Sequence, residues 1–587
     1  MEELQKQISE IVKVIFGAVD VAVVVTPTVG QKFADGREVE FSSNIAMQLA
    51  GRVGQAPREI AELIAARVSG FETEVAGPGF LNFISSDEYY LQKLGEFGKN
   101  FTKNISCSEY NGQTVICEFS DPNPFKVLHV GHLYTSIVGD SISRLLEFAG
   151  GKVVRANFGG DVGLHVAKTL YALKKRGFTE TKNPEEAANL LAECYVEGTR
   201  VYEEDEGARA EIDQLNREIY KIVTEDIHEG ELAEMYWWGR EASYAYFEEF
   251  YARVGLKFDK FYPESSVAEL GLAQVRKELI RGIYEESDGA VIFPGEKYGL
   301  HTRVFINKNG VPTYETKDVG LIFQKDKDYH FDKSIVITAN EQYEYMRVVW
   351  KSVSLYAPEL IERSQHLTHG MVKLPGSVKM SSRLGNFLRA VDVISAVRES
   401  LRENSEGLDA KDFEKVAMGA IKYAFLKYKM GGDIVFDIAE SVSTTGNSGP
   451  YLQYSAVRAK KILGELMKKN FSGSRPSGPS SRADGAMPRQ QPAGFSEKSF
   501  SLNSSERTLV RKMSCYKSVL SESVEELAPH KVCTYLYELA QEFSRFYENV
   551  KVVGSEYEKE RGEIVMAYLK VMTHGLGLLG IEVPERM

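Results

Sequence analysis

The sequence predicts a multidomain α/β plus all-α protein. It has a small N-terminal α/β module, a Rossmann-like parallel-sheet domain carrying an insertion, and a C-terminal helical bundle. Three observations carry this expectation. Between about 106 and 390, strand-like runs alternate with segments of helical period, as a doubly wound sheet requires. Beyond 390 only helical periodicity remains, in DVISAVRESL, KDFEKVAMGAIKYAFLKYK and YLQYSAVRAKKILGELMKK. The first hundred or so residues form their own α/β pattern, closed by the Gly77-Pro78-Gly79 turn and GFLNFIS. The expected domains are therefore 1–105, 106–390 with an insertion at about 165–255, and 391–587.

Composition narrows the possible roles. A chain of 587 residues, 43% hydrophobic and 26% charged, can bury several cores. Its net charge of −12 argues against a nonspecific nucleic-acid coat, although a local basic track remains compatible with it. No apolar run has the length of a membrane span, and MEELQKQISEIVKVIF opens an acidic amphipathic helix. A cytoplasmic protein without membrane contact is expected. Cys107, Cys117, Cys194, Cys515 and Cys533 include no Cys-x-x-Cys pair, so buried thiols are expected, with no disulfide framework and no protein-held metal.

Taken in order, the N-terminal module reads as a helix to Phe16, a strand VDVAVVVTP, helices near Ser43 to Val53 and Ala56 to Val68, and the strand GFLNFIS. It contains no histidine, and a packing or binding role suits it. In the next domain Thr114 to Phe119 alternates as a strand and the Asp-Pro-Asn-Pro cluster at 121–124 is a turn. Then Ile137, Ile142, Leu145, Leu146 and Phe148 recur at helical spacing up to Gly150-Gly151. His129-Val130-Gly131-His132 thus lies at a helix start, where orphan N–H groups favour a phosphate and two imidazoles add hydrogen bonds. Gly131 lets a nucleotide lie against the backbone.

Further on, Asn157 to Gly163 is a glycine-rich turn, about 165–245 is charged and helical, and strands resume at LKFDKFYPES and AVIFPGE. A hairpin turn follows at Asn309-Gly310, a helix begins near Asp318, and the strand SIVITANEQ delivers Gln342. Each strand end carries polar residues, where open α/β sheets place ligands. In HGMVKLPGSVKMSSRLGN, residues 369–386, Lys379-Met380-Ser381-Ser382-Arg383 form a loop of small and basic residues suited to a polyphosphate. An ordinary basic surface loop is the alternative. In the C-terminal bundle, Tyr451, Tyr454, Arg458, Lys460 and Lys461 mix aromatic and basic residues as single-stranded RNA recognition needs, unless the tyrosines are simply core. The Gly/Ser/Pro-rich stretch within about 472–500 cannot bury a core and is expected to be a disordered loop.

HVGH followed by KMSSR resembles the two signatures of class I aminoacyl-tRNA synthetases, written HIGH and KMSKS. The rest resembles the arginyl-tRNA synthetase family: Ser120-x-Pro122-Asn123, GVPTYETKD, GNSGPYLQYSAVRA, the terminal LLGIEVPERM, and an N-terminal block running from SNIAMQLA to AGPGFLNF. That resemblance implies ATP-dependent ligation of L-arginine to tRNA(Arg) through an arginyl-adenylate, by a protein expected to be a monomer, with Mg²⁺ arriving on ATP. It implies catalytic roles for His129, His132 and Lys379. It implies ATP contacts at His129, Gly131, His132, His369, Gly370, Met371, Val372, Lys379, Met380, Ser381 and Ser382. Arginine would be held by Glu118, Asp121, Asn123, Glu264, Tyr314, Asp318 and Gln342, since paired carboxylates meet a guanidinium in bidentate fashion. The alternatives are a helix N-cap for Asp318 and a surface turn for Glu264. tRNA contacts would come from Phe41 and Asn44 in the N-terminal module and from Tyr451, Tyr454, Arg458, Arg545 and Tyr547 in an anticodon-binding bundle. Two departures stand out: Leu384 occupies a position where the family often has another lysine, and Phe41-Ser42-Ser43-Asn44 lacks the family's glutamine. The rival readings are a class I synthetase for another amino acid and a non-catalytic tRNA-binding paralogue.

Overall fold

The computed structural model describes residues 2–17, 21–28, 31–34, 36–37, 39–99, 101–373, 375, 388–402, 407–472 and 500–587. Lys379, Met380, Ser381 and Ser382, and nearly all of the 472–500 stretch, lie outside the described residues. The chain forms two compact units: residues 1–104, 461–515 and 541–570 in one, and 105–460, 516–540 and 571–587 in the other.

The larger unit is built on a five-stranded parallel sheet. Its strands are β1 (Thr114–Glu118), β2 (Lys152–Gly159), β3 (Lys260–Pro263), β4 (Lys333–Ala339) and β5 (Ser364–His369). Their spatial order is β5-β4-β1-β2-β3, the Rossmann order, so the chain reverses direction across the sheet between β1 and β4. The helix following β1 is α1 (Val130–Phe148). It lies on the sheet so closely that a Cβ on Gly139 would come within 2.1 Å of the Phe119 ring.

After β2 come the inserted helices α2 (Leu164–Arg176), α3 (Pro184–Glu204), α4 (Glu206–Thr224) and α5 (Glu231–Val254), which share their own apolar core around Val166, Leu170, Leu191, Ile212 and Tyr236. Then follow α6 (Glu264–Ile280), a three-stranded antiparallel sheet at 285–306, α7 (Tyr314–Tyr329) and α8 (Tyr343–Ser354), packed with the sheet around Val267, Val319, Val348 and Val349. The unit continues through α9 (Ala390–Arg402) and α10 (Ala410–Leu426). Next, α11 (Gly449–Ser472) begins in this unit and ends in the other.

The N-terminal module, in the smaller unit, has a four-stranded antiparallel sheet. Two differences from expectation appear there. Among the described residues of VDVAVVVTP, only Thr26–Pro27 is a strand, because this edge segment pairs in register only with Phe41 and Ser42. The strand Phe71–Ala76, unread because FETEVA mixes acids with apolar residues, pairs with Phe80–Ser85 across the Gly77-Pro78-Gly79 turn. Elsewhere in the chain, Cys515 is exposed while the other four thiols are buried. Among the described residues, no helix is long and apolar enough to cross a membrane.

Candidate active site at the sheet switch point

The chain leaves β1 through a strained turn. Ser120, Asp121 and Phe125 all have positive φ (75°, 47° and 66°), a region that costs a non-glycine residue about 1 kcal/mol or more. The neighbours over-determine it. Ser120 Oγ lies 2.9 Å from the Tyr251 hydroxyl, Phe125 N donates to Ser243 Oγ at 2.9 Å, and Asp121 accepts from Phe158 N at 2.8 Å. Strain held this firmly aims the turn at one place.

That place is the start of α1. His129 is the N-cap, its Nδ1 accepting from Gly131 N at 3.1 Å, while His132 Nδ1 accepts from His129 N, also at 3.1 Å. The two rings stack with centroids 3.8 Å apart. A Cβ on Gly131 would meet the His129 ring at 2.8 Å, so the glycine admits the imidazole itself. Burial, reinforced by Lys126 and His369, pushes the His129 pKa down to about 4, and burial with His129 beside it puts His132 well below its usual value. Both rings are therefore neutral at pH 7. With Nδ1 accepting, each must carry its proton on Nε2. The pair acts as oriented hydrogen-bond donors.

The flanks of the 376–387 segment are tied to the same helix. Upstream, His369 Nε2 lies 2.6 Å from Thr135 Oγ1. Downstream, Val130 N donates to Leu388 O at 2.8 Å, and His129 bridges Arg389. Gly370 is pressed against the Gly432 carbonyl, Val372 is buried, and Met371, half exposed, has its N–H on Asp433 Oδ1 at 2.9 Å. A cavity of about 1020 Å³ opens beside the histidines, lined among others by Asn123, Lys126, His129, His132, Tyr195 and Arg389. Its size suits a nucleotide-scale ligand. Lys126 lies over the Tyr195 ring of α3 at 4.6 Å.

On the other side of the turn, carboxylates gather. Glu118 ends β1, Glu264 is the first residue of α6, and Asp318 lies in the second turn of α7; all three are buried. The helix starts at Tyr314 with Thr313 as its N-cap, so Asp318 is not the cap, and Glu264 is not a surface turn residue. Gly160, just past β2, joins two predicted residues: Asn123 Oδ1 accepts its N–H at 2.8 Å, and a Cβ there would come within 3.0 Å of Glu264 Oε1. Two lysines neutralise part of the charge: Lys325 pairs with Glu118, and Lys317 Nζ lies 2.6 Å from Glu264 Oε2. Asp318 instead accepts a hydrogen bond from the Tyr345 hydroxyl. Among the described residues, no lysine or arginine nitrogen lies within 4.0 Å of its carboxylate. Burial raises its pKa to about 8, with Glu118 and Glu264 adding repulsion, and burial beside Glu118 likewise raises Asp121.

Tyr314 borders this cluster, its ring centre 5.0 Å from Lys317 Nζ. Gln342 is exposed just beyond β4, at the same carboxyl edge, and Tyr314 is 53% exposed at the start of α7. Tyr451, Tyr454 and Arg458 share α11, where Arg458 donates to the Tyr454 hydroxyl at 3.0 Å and Tyr451 meets Tyr537 edge to face. Arg545, ion-paired with Glu542 at 2.7 Å, and exposed Tyr547 belong to the other unit, as do Phe41, half buried against Phe71, and exposed Asn44.

Four residues not anticipated from the sequence complete the site: Lys317, Lys325, Tyr345 and Asp161. Asp161 is fully buried and accepts from Ser265 N at 3.0 Å, Ser265 Oγ at 2.7 Å and Arg240 Nε at 3.0 Å, fixing the start of α6. Its signal was the acid within Gly159-Gly160-Asp161-Val162-Gly163.

A Rossmann-order sheet, a histidine-capped helix at its switch point and a nucleotide-sized cavity together define a class I synthetase architecture. Residues 100–438, more than half the chain, match the family described as tRNA synthetases class I (R), catalytic domain. Residues 452–587 match the DALR anticodon binding domain, and residues 2–84 match the arginyl tRNA synthetase N terminal domain. The chain belongs to the arginyl-tRNA synthetase family. An arginine–tRNA ligase of Treponema denticola is 31% identical over 85% of this chain and 82% of its own, and one of Bacteroides fragilis is 27% identical over 91% and 90%. The fold is similar to the Thermus thermophilus arginyl-tRNA synthetase structure, with TM-score 0.73, 23% identity and full coverage of both chains. It is also similar to the Plasmodium falciparum enzyme, with TM-score 0.70, 19% identity and coverage of 100% and 99%.

Proposed function

We propose that this protein attaches L-arginine to tRNA(Arg) in two steps at the β1/β4 switch point. In the first, an oxygen of arginine's carboxylate attacks the α-phosphorus of ATP and pyrophosphate leaves. In the second, a hydroxyl of the terminal ribose of tRNA attacks the activated carbonyl carbon and AMP leaves. No side-chain nucleophile is needed, so catalysis is positioning and electrostatics. The Nε2–H groups of His129 and His132 donate to phosphate oxygens, and Lys379 holds the departing pyrophosphate. Mg²⁺, arriving with ATP, shares the phosphate charge. Asn123 and Gln342 hold the substrate's α-amino and carboxylate groups, while Asp318, Glu264 and Tyr314 receive its guanidinium, with Glu118 and Asp121 behind them.

One observation carries this reading: neutral imidazole donors and a set of buried carboxylates that exceeds its lysines stand on opposite sides of one turn. One side suits an anion and the other a cation. Phe41, Asn44, Tyr451, Tyr454, Arg458, Arg545 and Tyr547 are proposed tRNA contacts, and the domains 1–105, 106–390 and 391–587 are the proposed functional divisions. The protein is proposed to work as a cytoplasmic monomer. The test is aminoacylation of total tRNA with each amino acid in turn, for the wild type and Lys379→Ala. Arginine alone should be charged, and the variant should lose that activity. Charging of another amino acid, or a fully active variant, refutes the reading.

A further inference from the structure

Lys317 stands where the proposed function puts the substrate's side chain. Its Nζ is 2.6 Å from Glu264 Oε2, 5.0 Å from the centre of the Tyr314 ring and 5.6 Å from that of Tyr220, with the side chain 3% exposed. Glu264 and Tyr314 are two of the three groups assigned to the guanidinium. We propose that Lys317 is an internal placeholder for the substrate's cation and a specificity-determining residue: its ammonium fills the seat between Glu264 and Tyr314 until arginine displaces it. This rests on the arginine-charging reading.

The packing leaves the lysine side chain as the movable part. The helices α6 and α7 cross in backbone contact: a Cβ on Gly271 would lie 2.0 Å from Thr316 O, and one on Gly320 would lie 2.1 Å from Val267 O. The backbone at Glu264 is further fixed because Asp161 holds the adjacent Ser265 by both N–H and Oγ. Neither helix can open the seat without losing that contact, whereas a four-methylene stem can rotate. A second group lies alongside: the centre of the Tyr220 ring of α4 is 5.6 Å from Lys317 Nζ. An ammonium that leaves Glu264 can therefore rest against an aromatic face.

The arrangement discriminates by chemistry. A substrate lysine offers the seat the same point charge it already holds, so exchange gains nothing. A guanidinium presents a planar fork of donors that can engage Glu264 and reach Asp318, the carboxylate without a resident cation. Only the second exchange adds hydrogen bonds. The occupant also lowers the apparent affinity for arginine, because the competent state is the fraction in which the seat is vacant.

The test is calorimetric titration of arginine, and separately of lysine, into the full-length wild type, Lys317→Met and Lys317→Gln. Both variants should bind arginine more tightly, by up to about tenfold if the seat is filled nine-tenths of the time, and lysine binding should become measurable. The Gln variant keeps a donor for Glu264, so it decides the matter should the Met variant fail to fold. Arginine binding that weakens or stays unchanged in the folded variants overturns the proposal and makes Lys317 a permanent clamp on Glu264. Charging by the wild type is measured alongside: failure there sinks the arginine reading, while failure confined to the variants sinks only the placeholder.

Discussion

The two sides of the turn after β1 handle buried polar groups in opposite ways. On the histidine side every ring is oriented before any ligand arrives: Nδ1 of His129 and of His132 each accepts a backbone N–H, and His369 sits against Thr135 and Gly370 O. On the carboxylate side, Lys317 and Lys325 answer Glu264 and Glu118, and Asp318 is left with a tyrosine hydroxyl. The first side is finished by the fold, and the second is finished by a cation from outside. Rigid, neutral donors can be aimed in advance at developing phosphate charge, whereas a pocket selecting a cation must leave a carboxyl without a resident cation.

The largest effect that would break this contrast is at Asp318. Asp318→Asn keeps the shape and the Tyr345 contact but removes the carboxyl that ionises to meet arginine. Its kcat/KM for arginine should fall by about 10²–10³-fold, the scale of truncating one partner of a buried charge pair, with the KM for ATP little changed. Steady-state charging kinetics in both substrates check this.

Next comes the histidine side. His132→Asn should lower kcat by about 10²-fold while leaving arginine binding intact, because a transition-state donor is lost. The His129 pKa near 4 adds a pH expectation: the rate should show no histidine titration between pH 6 and 8. A bell-shaped profile with a limb near 6.5 in pre-steady-state rates would mean the imidazoles act as charges.

A smaller effect sharpens the other side. The Asp318 carboxyl pKa is raised to about 8, so in the free protein it binds a proton from roughly its unfolded value of 3.8 up to that point. Its contribution to folding stability is fully present below 3.8 and is lost as pH rises through 8. Arginine needs the ionised form, so its affinity should rise about tenfold from pH 7 to 9, with close to one proton released per arginine at pH 7. Calorimetry in two buffers of different ionisation enthalpy reads that proton, and Asp318→Asn should abolish its release. The smallest expected effect is at Gly160, where Ala would press on the ends of Asn123 and Glu264, both able to shift. A few-fold rise in the KM for arginine, without loss of fold by circular dichroism, is expected.

The sequence makes the histidine side legible and the carboxylate side only partly so. A phosphate site at a helix start follows from local order, with strand, turn, HVGH and periodic apolar residues consecutive along the chain. The parallel sheet is legible for the same reason. The residues that decide the charge balance of the pocket are not contiguous: Lys317 and Lys325 lie in charged stretches of α7 that carry no local signal of burial, and Tyr345 lies three residues past Gln342. Only the β1-β4 adjacency and the glycine-mediated crossing of α6 and α7 turn them inward. The start of α7 lies ahead of the expected position near Asp318 for a related reason. Thr313 bonds back to the preceding strand, its Oγ1 donating to Val304 O at 2.8 Å, so the helix begins four residues ahead of Asp318.

The most direct measurement of the central contrast is competitive charging of total tRNA with arginine and lysine by the wild type and Asp318→Asn, with arginine binding followed in the same preparations. The wild type should charge arginine and not lysine, and the variant should lose arginine binding while still binding ATP. Lysine charging by the wild type, or arginine bound equally well by Asp318→Asn, would contradict the account.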